Sequence, residues 1–217
     1  MILVVASSPA ELQGIEQFPL SENGVRRLPN GESIVAVAVG IGKVNAALGT
    51  AQALAKWSPS LVVGMGTCGT IRQDLQVGDI VLPKQVIQYD IDLRRFGWPR
   101  GSIQSLEGTL EGALNTEVLF THLKHWKGNR VYPSVVLGTA DTFLVALDRE
   151  RQPWLSEELK IEVVDMESYA MVKAAKQVGC KVAVVRVVSD TWRGNRPKNY
   201  QKFLLKSSED VFSLLAQ

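Results

Sequence analysis

Residues 182–190 read VAVVRVVSD. The run is apolar and mostly β-branched, with Arg186 in its middle and Ser189-Asp190 at its end. Near-continuous apolar composition is that of a parallel strand buried on both faces. Arginine and aspartate are almost never fully buried without a partner, so both need an explanation. Asp190 either caps the following element or is delivered to a site, because open α/β sheets bind ligands outside the carboxyl ends of their strands. Arg186 lies four residues earlier, on the same face of a strand of period two. It is expected to pair with a site carboxylate, Glu11 or Glu167.

Outward from this stretch, further strands are expected at 1–6, 33–39, 60–65, 78–82, 131–138 and 162–164. Helices are expected at about 43–56, 116–126, 168–178, with Gly179 as a stop, and 198–215. Strands alternating with helices argue for an α/β layered domain with a largely parallel sheet. The 217 residues suit one domain, residues 1–217, without linker or repeat.

Hydrophobic residues make up 46% and charged residues 21%, an ordinary globular balance. A net charge of +2 gives no reason to expect nucleic acid or an anionic membrane as partner. Two cysteines, Cys68 and Cys180, cannot form a disulfide framework, which favours a reducing compartment. The N-terminus lacks a basic n-region, and no apolar run reaches the ~18 residues of a membrane span. A soluble, cytoplasmic chain is expected.

Gly64-Met65-Gly66-Thr67-Cys68-Gly69 matches the letters G-x-G-x-x-G. A dinucleotide fingerprint needs a helix directly after it, and here a polar turn leads to another strand. What remains is a glycine-rich loop open to close approach by a ligand. Gly40-Ile41-Gly42-Lys43 lacks the spacing of a P-loop and serves either tight packing or a ligand. His122 and His125 have no Cys, Asp or Glu at ligand spacing, so no metal and no cofactor is expected.

Three carboxylates, Glu11, Glu167 and Asp190, each lie at or just past the carboxyl end of an expected strand. Glu11 also suits the first turn of a helix after Ser7-Ser8-Pro9. Asp165 suits the start of the helix after it, where the dipole favours an acid. Three such placements together point to acid/base chemistry.

The set VVDMESYA (163–170), VVRVVSD (184–190), VGIGKVNAA (39–47), VVGMGTCGTIRQDLQVGDIV (62–81) and GTADTFL (138–144) resembles the purine nucleoside phosphorylase and nucleosidase superfamily. Ser7-Ser8-Pro9-Ala10-Glu11 is most similar to the methylthioadenosine/S-adenosylhomocysteine nucleosidase branch. The resemblance spans residue 1 to about 203. It implies a three-layer α/β/α single domain around a mixed, partly barrel-like sheet, and cleavage of a purine N-glycosidic bond. It implies that Asp190 protonates or hydrogen-bonds purine N7, with Ser189 in support. Glu167 would hold the ribose hydroxyls over Met166, and Glu11 would activate water beside Thr67 and Arg186. Phe143 and Leu144 would form the base pocket. A homodimer is implied, with Leu93 and Phe96 in the segment that caps the neighbour's 5′ pocket.

The chemistry suits these residue types. Protonation at N7 turns a poor anionic leaving group into a neutral one. Carboxylates stabilise a ribose that becomes cationic in the transition state, and one carboxylate accepts two hydrogen bonds from a vicinal diol. An aspartate at the base edge favours adenine over a 6-oxopurine. The chain departs from the branch at Ser8, at Thr67-Cys68, at Asp165 and in the basic loop 191–198. Phosphorylases of this fold carry arginines where this chain reads ASSP (6–9) and VGM (63–65), so water is the expected nucleophile. Arg72, Arg94 or Arg95 would be the sources of a phosphate clamp in a phosphorylase. A futalosine-type hydrolase and a non-catalytic nucleoside-binding module are the other readings.

Overall fold

The computed structural model describes residues 1–21, 23–105, 107–119, 126 and 128–217. The first half runs β1 (Ile2–Ala6), a 3-10 helix over Pro9–Gln17, β2 (Arg26–Arg27), β3 (Ser33–Ala38), α1 (Lys43–Trp57), β4 (Leu61–Thr70) and β5 (Ile80–Gln88). A 3-10 turn at Arg94–Phe96 and the short strands β6 (Ile103–Gln104), β7 (Leu110–Glu111) and β8 (Leu114–Asn115) follow. The second half runs β9 (Val131–Thr139), α2 (Ala146–Arg151), α3 (Trp154–Glu157), β10 (Val163–Asp165), α4 (Ser168–Gln177), β11 (Lys181–Asp190) and α5 (Tyr200–Leu215).

The main sheet runs β10-β9-β5-β11-β4-β1-β3-β2. It is mixed rather than largely parallel, because β5 meets β11 antiparallel and β10 meets β4 antiparallel. The second of these pairings closes β4, β11, β5, β9 and β10 on themselves, so this half of the sheet is a small barrel.

Side chains of period two serve both faces. Leu3, Val5, Val62, Val182 and Val184 pack under α1 and α4, and Val4, Ala6, Val63, Met65, Val185 and Val187 pack under α5. This produces the three layers. Helix α1 lies close because Ala46 and Ala53 are small and buried. Helix α5 starts at Asn199, whose side chain accepts from the Lys202 N–H at 3.0 Å, a standard N-cap.

Three expectations change. The glycine-rich stretch after residue 65 is no loop: β4 continues to Thr70, paired first with β11 and then with β10. Its glycines clear space for side chains from behind. A Cβ on Gly66 would sit 2.6 Å from Arg186 Nη1 and 2.8 Å from Glu11 Oε1. Residues 116–119 are not helical; Glu117 instead bridges to Ala183. The rest of that expected helix, with His122 and His125, lies outside the described residues. Finally, β11 runs through Asp190, so Asp190 caps no helix.

Among the described residues no helix is long and apolar enough to cross a membrane.

Gly66 also has φ +150, so Gly66→Ala combines backbone strain with a clash against a buried guanidinium. It should destabilise the fold by about 2–4 kcal/mol, read as a lowered urea midpoint at unchanged slope.

Candidate active site

A cleft of about 260 Å³ opens where β1, β4, β10 and β11 end. Glu11, Glu167 and Asp190, far apart in sequence, all line it. Each is held by a different device.

Glu11 sits in the first turn of the 3-10 helix. Its Oε2 accepts from Ser7 Oγ at 2.5 Å, from the Ser8 N–H at 3.1 Å and from Ser8 Oγ at 3.3 Å. Its Oε1 accepts from the Thr67 N–H at 3.1 Å. The Ser8 contact is the return half of a capping box, so Glu11 both starts the helix and lines the cleft.

Glu167 precedes α4 and its Oε1 accepts from the Gly42 N–H at 2.9 Å. Gly42 has φ +87, a backbone conformation open to glycine at little cost. Among the hydrogen bonds of the described residues none ends on Oε2, which leaves that oxygen for a ligand. Burial pushes the Glu167 carboxyl up to about 7, reinforced by the Asp165 charge and opposed by Arg186.

Asp190 follows an irregularity in the ladder between Val188 and Asp190, with Ser189 as the extra residue. Such bulges re-aim a side chain. They also break the two-residue period, so Arg186 and Asp190 serve different partners. Asp190 Oδ2 accepts from Ser189 Oγ at 3.0 Å, and Oδ1 accepts from Arg149 Nη2 at 2.6 Å. Arg149 is only 2% exposed. It was not legible in sequence, where it is one of two arginines in the short stretch ALDRER.

Arg186 pairs with neither Glu11 nor Glu167. Its Nε donates to Asp165 Oδ2 at 2.8 Å and its Nη2 to Ser168 Oγ at 2.9 Å. Asp165 also accepts from Thr139 Oγ1 at 2.7 Å and from the Ser168 N–H, as an acid at a helix start should. Burial opposes the Arg186 charge, but Asp165, Glu167 and Glu11 outweigh it and hold the guanidinium above its usual range. Arg186 is buried behind the cleft rather than lining it, and so is Ser189.

Thr67, Phe143, Leu144 and Met166 line the cleft. Thr67 Oγ1 lies 3.3 Å from Tyr200 Oη, a lining residue that sequence reading missed. Phe143 is half exposed, and the Arg196 guanidinium lies 4.8 Å from its ring centroid. The basic loop thus meets the expected base side of the cleft. Leu93 and Phe96 do not line the cleft of their own chain, and Phe96 is 76% exposed. Burial pushes the Cys68 thiol far up, which makes it a poor nucleophile.

The sequence model of the phosphorylase superfamily matches residues 2–217. The chain is 30% identical over 192 residues to a 5′-methylthioadenosine/S-adenosylhomocysteine nucleosidase of Actinobacillus succinogenes, across 87% of this chain and 83% of that protein. The crystal structure of the nucleosidase of that same name from Neisseria meningitidis, in complex with methylthio-immucillin-A, superposes with a TM-score of 0.80. Identity is 19%, over 99% of this chain and 96% of that one. A futalosine hydrolase mutant of Helicobacter pylori superposes with a TM-score of 0.79 at 20% identity, over 99% and 97%. At these identities the two structures share the fold.

The raised Glu167 carboxyl has a stability consequence. Between its ordinary value of 4.5 and about 7, the native state binds the proton and the unfolded chain does not. Stability should therefore fall as pH rises through that window. Glu167→Gln should remove the fall and gain up to about 3 kcal/mol at pH 8. Urea titrations of both proteins between pH 4.5 and 8 measure it.

Proposed function

The chain belongs to the phosphorylase superfamily, and on that premise we propose that it hydrolyses the N-glycosidic bond of a 5′-modified adenosine. The substrate class is that of methylthioadenosine and adenosylhomocysteine, and adenine is the released base. The observation that carries this reading is the convergence of Glu11, Glu167 and Asp190 on one cleft. The lining is carboxylate, hydroxyl and apolar, a negative surface that suits water better than phosphate. Arg186 is already committed to Asp165, and Arg72 to Asp74 and Glu162.

In this mechanism the Asp190 carboxyl gives its proton to purine N7, and the electron pair of the C1′–N9 bond leaves with the base. The cationic ribose is stabilised by the carboxylates around it. Glu167 accepts from the 2′ and 3′ hydroxyls through its open Oε2. Glu11 takes a proton from the attacking water, whose oxygen bonds to C1′. Phe143 and Leu144 flank the base, Met166 lies under the sugar, and Thr67 neighbours the water. The products are adenine and the 5-modified ribose. Arg186 and Ser189 act from behind the cleft. The reading takes residues 1–217 as one domain needing no cofactor. The unpaired Cys68 and Cys180 are in keeping with a cytoplasmic protein.

A homodimer completes the 5′ side in this reading. Ile41, Val44 and Leu48 form an exposed apolar stripe at the start of α1. Lys43 Nζ donates to Asp90 at 2.6 Å and so ties the segment that carries Leu93 and Phe96 to that stripe. Contiguous exposed apolar surface of this kind marks an interface.

Adenine release from methylthioadenosine, adenosylhomocysteine and futalosine-type nucleosides should proceed in phosphate-free buffer. Release that needs phosphate and yields a ribose 1-phosphate would overturn the hydrolase reading. Asp190→Asn and Glu11→Gln should each lose about 10²–10⁴ in kcat. Light scattering should give a dimer mass, and Phe96→Glu should shift it towards monomer while raising KM.

A further inference from the structure

The ion pair between Arg149 and Asp190 is buried on both sides, the Arg149 side chain fully and that of Asp190 to 5% exposure. Arg149 does not line the cleft. Besides Asp190 its guanidinium donates to the main-chain carbonyls of Leu144, at 3.2 Å, and Thr191. The first carbonyl belongs to the expected base pocket, and the second directly follows Asp190 at the end of β11. Space for the pair is cleared by β4, since a Cβ on Gly69 would sit 2.9 Å from Arg149 Nη2 and 3.1 Å from Asp190 Oδ1. A fork of fixed donors thus joins the acid, the loop ahead of α2 and the end of β11.

We propose that Arg149 is a positioning residue that divides the labour of the two Asp190 oxygens. The inference rests on the hydrolase reading above. A charge-assisted donor on Oδ1 makes that oxygen the acceptor, and a protonated carboxyl carries a single O–H. Whenever Asp190 is protonated, the proton that goes to N7 therefore sits on Oδ2, the oxygen shared with Ser189 Oγ. Serine can donate to that oxygen when it is bare and accept from it when it is protonated. Without Arg149 only Ser189 Oγ holds the carboxyl, and the proton can sit on either oxygen. The base still binds, but the proton is in the wrong place for part of the time. Arg149 does not line the cleft and works on turnover through Asp190.

A double-mutant cycle on kcat tests this. Arg149→Ala should lower kcat by about 10²-fold, within the range of a positioned acid, with KM changed less than about threefold. In the Asp190→Asn background the same substitution should change kcat by less than about threefold, because a residue acting through Asp190 has nothing left to position. Arg149→Lys keeps the charge but loses the planar fork, and should fall between wild type and Arg149→Ala. Equal losses in both backgrounds, or an Arg149→Ala kcat within about twofold of wild type, would overturn the proposal. If Arg149→Ala does not fold, Arg149→Lys in the same cycle decides by the same criterion. Full turnover by Asp190→Asn alone would instead overturn the assignment of Asp190 as the acid.

Discussion

Arg186, an arginine buried in the middle of the sheet, organises the floor of the cleft. Its guanidinium is tied to Asp165 and Ser168, and Glu11 and Glu167 add favourable charge. A lone buried guanidinium is costly, and removing one partner of such a pair typically costs about 3–5 kcal/mol. The pair therefore fixes several elements at once. It locks β11 to the junction of β10 and α4, and it requires Gly66 in β4, because any side chain there would displace it. One cation compensates a cluster of carboxylates that would otherwise repel one another.

The same logic repeats at the other end of the cleft. Arg149 and Asp190 form the second buried pair, and Gly69 makes room for it as Gly66 does for the first. Strand β4 is thus less a ligand-binding loop than a thin partition, with glycines where cations pass close behind. This explains why a strand with such weak β propensity holds its form. It is paired on both edges, by β1 and β11, and at its end by β10 and β11.

Glu11, Glu167 and Asp190, which all line the cleft, differ in how they are held. Glu11 is fastened by local hydroxyls and backbone N–H groups in its own turn. Glu167 is held by one distant N–H, that of Gly42, and keeps an oxygen free. Asp190 is gripped on both oxygens. A group that binds a diol needs a free oxygen, and a group that hands over a proton needs a fixed one. The proposed roles of Glu167 and Asp190 rest on this difference.

The strands, their alternation with helices and the three carboxylates at strand ends were legible in sequence, because side-chain period and turn chemistry are local properties. The resemblance, rather than any periodicity, pointed to Phe143, Leu144 and Met166 in the cleft. Only the tertiary structure decided which charges meet. Arg186 finds Asp165 across 21 residues and Arg149 finds Asp190 across 41. Such partners are set by how strands cross in the barrel. A one-residue bulge at Ser189 sends Asp190 to Arg149, and no local pattern announces it. The length of β4 was hidden for the same reason. Its glycines read as a loop until the side chains that need their space are packed behind them.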